Sequence, residues 1–433
     1  MARIARRRVL ALSASGGMAA ILASGRAPAL AQETQIHWLR WADFVPASDA
    51  LLKGPITQEC KKALGFSLKV ETVNANDLQS RITSAIQSGS GADIIMGFNN
   101  WPQLYVGGVA DVSDLAEELG QAGGGYYDVS KKIATVGNKW IGVPFTVGGG
   151  LNAYRKSWFE EIGYKSFPET WDTFREAGKK LKAKGRPIGQ TAGHTFGDAP
   201  GWWYPFLWSF GGKEVDADGR VVLNSKETVE SIKFAVALWK ETMDEGGLAW
   251  DDTNNNRAFL SQTISATNNG ASIYIEAKRK PDTYKTEKGA PMFQDILHAP
   301  IPKGVAGQYN LPGIFTDMLM GYSKNQKQAK EFLRWIHSKP IYDQWFTSQQ
   351  GYTCGATKQW ASHKVWDVDP VLKPFKDLPV YGRVVGYAGP PDRKAAEVVS
   401  KYIIVDMYAK AIQGMPAEEA AKWAHAEATK VYV

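Results

Sequence analysis

The sequence predicts an α/β protein with largely parallel sheets and enough chain for two cores. Strand-like and helix-like segments alternate from residue 35 onward, the pattern that builds parallel sheets. The chain has 433 residues, more than one ordinary core supports. Its composition, 44% hydrophobic and 22% charged, is that of an ordinary soluble globular protein.

The first strand is expected over Gln35 to Trp41, with Ile36 and Trp38 alternating. A helix follows from Leu51 to Leu64, and Gly65 stops it. A second strand covers Phe66 to Glu71. Asn76 is read as the cap of a helix with Leu78, Ile82, Ala85 and Ile86 on one face, and Gly89 ends it. Asp93 to Met96 is a short buried strand. The middle repeats the pattern: strands at Trp140 to Phe145 and Asn152 to Arg155, a helix opened by Pro168-Glu169-Thr170, and one opened at Asn224 with Glu227. Trp171 and Trp239 fall on periodic helix stripes and read as core. An Asn268-Asn269-Gly270 turn leads into a β-like run, Ala271 to Ala277. The last third carries a strand through Met318, Met320 and Tyr322, a helix from Gln328, and a final helix starting at Pro416.

The N-terminus reads as an export signal. Arg6-Arg7-Arg8 precede a moderately apolar stretch, Val9 to Ser24, and Ala29-Leu30-Ala31 is a small-x-small cleavage site. The paired arginines followed by Val9 and Leu10 are similar to a twin-arginine signal, with the general export route as the alternative. The stretch is short and weakly apolar for a membrane span. Residues 1–31 are therefore expected to be removed, leaving the protein free in the periplasm. Five positive charges of the net +7 lie in that segment. The near-neutral remainder gives no reason to expect nucleic-acid binding. Cys60 and Cys354, the two cysteines, are expected unpaired, with no metal-ligand spacing around either.

Five blocks in order resemble the family 1 extracellular solute-binding proteins of ABC transporters, the maltose-binding-like group. They are Gly65 to Val70 with Leu78 to Ile95; Lys139 to Phe145 with Asn152 to Lys156; Phe167 to Phe174; Ala329 to Ile336; and Ala411 to Ala421. The run Gly148-Gly149-Gly150 departs from the family pattern, as does Cys354. The resemblance implies a two-lobed periplasmic-binding-protein fold of type II, each lobe a mostly parallel sheet flanked by helices. Crossings are expected near Val147, Ile275 and Lys324. Residues 32–147 with 276–324 would form the N-terminal lobe, and 148–275 with 325–433 the C-terminal lobe. A ligand would be held in the cleft by hinge closure, and the closed form would dock on a membrane permease. The protein is expected to be a monomer with no cofactor and no metal.

A sugar offers apolar C–H patches and a rim of hydroxyls. Aromatic rings cover the patches, while planar carboxylate, amide and guanidinium groups engage the hydroxyls. The positions that the resemblance places at the ligand carry that mixture: Trp41, Asp43, Asn99, Asn100, Trp101, Thr146, Gly148, Gly149, Trp202, Trp203, Tyr274, Glu276, Gly313, Phe315, Tyr352 and Arg393. Plainer roles compete. Trp41 suits a core strand end, Asp43 a helix cap, and Asn99 and Asn100 a turn. Adjacent Trp202 and Trp203 cannot share a helix face, so one of them is expected at the cleft. Glu276 and Arg393 also suit solvent. The expected ligand is a sugar or oligosaccharide, with an anionic polyol such as a glycerophosphate-like solute as the alternative. An enzyme is disfavoured: there is no Gly-x-Ser-x-Gly elbow, His-Glu-x-x-His or phosphate loop, and the six histidines are scattered.

Overall fold

The structure is a computed structural model that describes residues 33–433; the expected export segment lies outside the described residues. β1 (Gln35–Trp41) is followed by a helix in three parts: α1 (Pro46–Leu51), a π-helical turn (Leu52–Ile56) and α2 (Thr57–Leu64). Pro55 sits in the widened turn. It has no N–H to give to the preceding turn, and its ring displaces the i−4 carbonyl. Gly65 then adopts a left-handed φ of 74° and ends the helix. β2 (Ser67–Val73), α3 (Ala75–Ser88) and β3 (Ile94–Phe98) complete the first βαβ run. The cap of α3 is Asn74 rather than Asn76: its side chain accepts the Asn76 amide at 2.9 Å, so Asn76 already lies in the first turn.

A short helix, α4 (Trp101–Leu104), follows β3. The single strand expected over Trp140 to Phe145 divides: Lys139–Trp140 pairs back on Thr135–Val136, and β4 (Val143–Gly148) joins the main sheet. After β5 (Leu151–Arg155) come α5 (Trp171–Ala183), α6 (Asp198–Ser209) and α7 (Lys226–Thr242). Thr170 and Thr173 make a reciprocal cap at α5. Ser225, not Asn224, caps α7, accepting the Thr228 amide at 3.2 Å. Then follow α8 (Asn254–Leu260), β6 (Ala266–Asn269) and α9 (Ser272–Arg279). The β-like run at Ala271 to Ala277 is thus helical, and Asn268-Asn269 end a strand. Ile273, Tyr274 and Ala277 share the buried face of α9 at helical spacing. β7 (Ile296–Ala299), β8 (Gly313–Leu319), α10 (Gln326–Ile336), α11 (Lys339–Ser348), β9 (Cys354–Gly355), α12 (Arg393–Ser400), α13 (Ile403–Ile412) and α14 (Ala417–Tyr432) complete the chain.

Two sheets organise these elements. The first has order β9-β4-β8-β3-β1-β2. β1, β2 and β3 are parallel, and β8 inserts antiparallel between β3 and β4. The second has order β6-β5-β7, and both of its pairs are antiparallel. The expectation of mostly parallel sheets is met only by β1, β2 and β3: the other three pairs of the first sheet and both pairs of the second are antiparallel. There the strands arrive from separate stretches of chain instead of from consecutive βαβ units. Trp41, Phe98 and Gly148 end their strands, and Gly313 begins the antiparallel one, so all four fall at one edge of the first sheet. This edge carries the carboxyl ends of the parallel strands, where ligands of open α/β sheets bind.

The chain leaves the first sheet at Gly149 and Gly150. The expected crossings near Ile275 and Lys324 lie elsewhere. Ile275 is inside α9, and β7 still pairs with β5, so the return runs between residues 299 and 313. Residues 326–355 were expected in the second lobe, but they pack on the first. Lys330 and Arg334 of α10 pair with Asp114 and Glu118, and β9 pairs with β4. The amphipathic stripe of α10, with Ala329, Phe332, Leu333 and Ile336 buried, covers the first sheet. α12, α13 and α14 bury their apolar faces in the second core with Trp202, Trp203 and Trp208. The lobes touch directly where Gln79 donates to Ser400 Oγ at 2.9 Å. Cys60 and Cys354 are buried and unpaired, and no helix among the described residues is long and apolar enough to cross a membrane.

Candidate ligand-binding cleft

A cleft of about 70 Å³ opens between the two sheets. Its first wall is aromatic. Trp41 stacks on Phe315 with centroids 4.9 Å apart and planes inclined by 26°. Phe98 leans on Phe315 at 5.0 Å. Phe44, Asn99, Gly148 and Gly313 complete this side. A Cβ at position 313 would come within 2.9 Å of the Phe98 ring, so only glycine lets that ring lie against the strand. Asn99 holds φ at 47° and accepts the Ile314 amide at 3.0 Å through its Oδ1, which fastens the end of β3 to β8.

The opposite wall is polar. It consists of Phe196, Gly197, Asp198, Gly201, Asp252 and the run Asn268-Asn269-Gly270. Asp252 accepts the amides of Phe196 at 3.2 Å and Asp198 at 2.8 Å, gathering the loop that opens α6. A carboxylate at a helix N-terminus is favoured by the unsatisfied amides there. Asn255 donates to Asp198 Oδ2 at 2.6 Å. Burial raises both carboxyls above the usual range, and the charge of Asp252 lifts Asp198 further. Asn268 is 3% exposed, and its Nδ2 has no partner among the described residues. Gly150 makes room for it: a Cβ there would stand 2.3 Å from Asn268 Oδ1. Phe196 reaches across the cleft and meets Trp41 edge-on at 5.8 Å and Phe98 at 5.0 Å. Tyr352 lies at the base, against Gly270.

Two α/β lobes with a lined cleft between them accord with what the comparisons find. The family model for bacterial extracellular solute-binding proteins matches residues 46–341. The chain belongs to that family. A binding protein of Brucella abortus (strain 2308) is 26% identical over 314 residues, covering 69% of this chain and 72% of that one. Among solved structures, maltose-bound MalE3 of T. maritima superposes with a TM-score of 0.76 at 20% identity, over 92% of this chain and 99% of that one. An ABC transporter solute-binding protein of Agrobacterium radiobacter K84 in complex with ribitol gives 0.73 at 20%, over 92% and 98%. These structures share the type II fold of periplasmic binding proteins with this chain.

In this solute-binding protein, seven of the candidates, Trp41, Asn99, Gly148, Gly149, Gly313, Phe315 and Tyr352, line the cleft. The other candidates do not. Asp43 is consumed locally, accepting the Val45 amide, Ser48 Oγ and Gln349 Nε2 at 2.6–2.8 Å. Trp101 packs edge-on behind Phe98. Asn100 is buried beside it, with its Nδ2 turned toward the Val385 carbonyl at 3.5 Å. Thr146 donates to the Cys354 carbonyl within the sheet. Neither Trp202 nor Trp203 reaches the cleft: Trp202 packs on Trp171, and Trp203 stacks on Tyr408 and donates to the Thr191 carbonyl. Tyr274 points away, donating to Asp369 at 2.7 Å. Glu276 pairs with Arg279 and Lys280 on the helix surface, and Arg393 is exposed at the start of α12.

The residues not anticipated are Phe44, Phe98, Phe196, Gly197, Asp198, Asp252, Asn268, Asn269, Gly270 and Leu311. Phe98 was within reach, because it directly precedes Asn99 at a strand end. Asp198 and Asp252 carry no motif and meet only through the loop packing before α6.

Proposed function

We propose that the chain is the periplasmic capture component of an ABC importer and closes its lobes around a hydroxyl-rich sugar or polyol. One observation carries the choice of ligand: the cleft sets ring faces on one side against carboxylate and amide groups on the other. That pairing suits a solute with apolar C–H faces and a hydroxyl rim. No Lys, Arg or His lines the cleft among the described residues. An anionic polyol would need such cations, so the phosphorylated alternative loses its support. The maltose and ribitol of the two superposed structures fall in the same chemical class. Contacts available only when the lobes meet would shift the population to the closed form, which then docks on a permease.

A thermal-shift screen of the chain without residues 1–31, against monosaccharides, polyols, maltose and glucose 6-phosphate, tests this. A ligand of the folded state at a hundredfold excess over its Kd should raise Tm by about 2 °C or more. A shift from the phosphorylated compound alone would defeat the neutral-solute reading, and recovery of a sugar product would mark an enzyme instead.

A further inference from the structure

The polar wall of the cleft holds two acidic side chains, and no cation faces them. Asp198 and Asp252 both line it. Asp252 is spent on the loop amides of Phe196 and Asp198. Asp198 is half-buried; Asn255 holds its Oδ2, and its Oδ1 carries no hydrogen bond within the described residues. Asn268 lines the same wall, 3% exposed, with an Nδ2 that has no partner among the described residues. The facing wall contains the rings of Trp41, Phe98 and Phe315, and none of the lining residues is a cation.

Closure of the lobes strips water from Asp198. A hydroxyl returns one hydrogen bond to it but no charge, so the carboxyl, already raised by burial and by Asp252, keeps its proton unless a countercharge arrives. An ammonium group returns both, and aromatic faces attract cations. A free amide donor on the same wall can take an oxygen of the same ligand. We propose that the cleft selects a hydroxyl-bearing ligand with a primary ammonium group, an amino sugar or amino polyol, its ammonium on Asp198 and a hydroxyl oxygen on Asn268 Nδ2. This rests on the reading of the cleft as a polyol site and names the ligand's charge within it.

Calorimetric titration of the chain lacking residues 1–31, at pH 7.5 and low salt, with D-glucosamine, D-glucose and putrescine, tests the proposal. Glucosamine should bind at least tenfold tighter than glucose, its affinity should fall with added salt, and Asp198→Asn should shrink the preference to under threefold. Equal affinity for the two sugars, or a preference retained in Asp198→Asn, overturns the ammonium assignment while the polyol reading stands. Putrescine bound more tightly than either sugar overturns both, because the hydroxyls would then contribute nothing. Should Asp198→Asn fail to fold, the comparison of the two sugars on the parent chain and its salt dependence still decide.

Discussion

At the scale of single residues, tryptophan shows how far side-chain chemistry predicts position. Trp41 and Trp203 are equally buried in appearance, at 4% and 1% exposure, yet they serve different ends. Trp203 is enclosed by Phe206, Trp239 and Tyr408. Its replacement by alanine should cost about 3–5 kcal/mol, read as a lowered midpoint in chemical denaturation. Trp41 ends a strand and turns a face to the cleft, so Trp41→Ala should weaken solute binding tenfold or more by titration with the far-ultraviolet dichroism unchanged. The sequence distinguished the two poorly, because a Trp pair at the start of a helix carries no sign of which side will be covered. Trp41 was legible at the end of the first alternating strand, whereas Gly313 and Phe315 came only from the family resemblance, because the strand read there ran from Met318 and not from Gly313. Asp198, Asp252 and Asn268 were not legible, since loops distant in sequence bring them together and no spacing marks them.

At the scale of elements, helix ends were nearly right and strand sense was not. Thr170 caps α5 as its neighbours implied, accepting the Thr173 amide at 3.2 Å. Thr170→Ala should lower stability by about 1 kcal/mol, measured as a shift in the urea midpoint at constant slope. The run Ala271 to Ala277 deceived because β-branched and aromatic residues suit strands, while burial of one helical face decided the outcome. β7 holds a group with a pH consequence. The ring nitrogens of His298 are buried between Tyr274 and Phe375, and burial pushes its pKa down to about 4 despite the nearby Asp369 carboxylate. The unfolded chain therefore binds a proton more readily from about pH 6.5 downward. The stability linked to neutral His298 is intact above pH 6.5 and lost as pH falls through 4, by about 1–3 kcal/mol. His298→Gln should flatten the stability profile between pH 6.5 and 4; an unchanged slope would place the acid sensitivity elsewhere.

For the whole molecule, the two-lobed α/β plan was legible from the five blocks in order, but the division of the chain between lobes was not. A crossing has no composition of its own. Only pairing partners reveal that residues 326–355 return to the first sheet while β7 stays with the second. The lobes meet directly where Gln79 donates to Ser400 Oγ at 2.9 Å. Removing that link in Gln79→Ala should favour the open form and weaken solute binding several-fold by titration, with little change in Tm.

Small-angle scattering of the chain without residues 1–31, with and without the solute that gives the largest thermal shift, tests closure most directly. The account predicts a smaller radius of gyration on saturation, and no such change in Trp41→Ala at the same solute concentration. An unchanged radius in the saturated parent chain, with heat of binding confirming occupancy, would contradict capture by lobe closure.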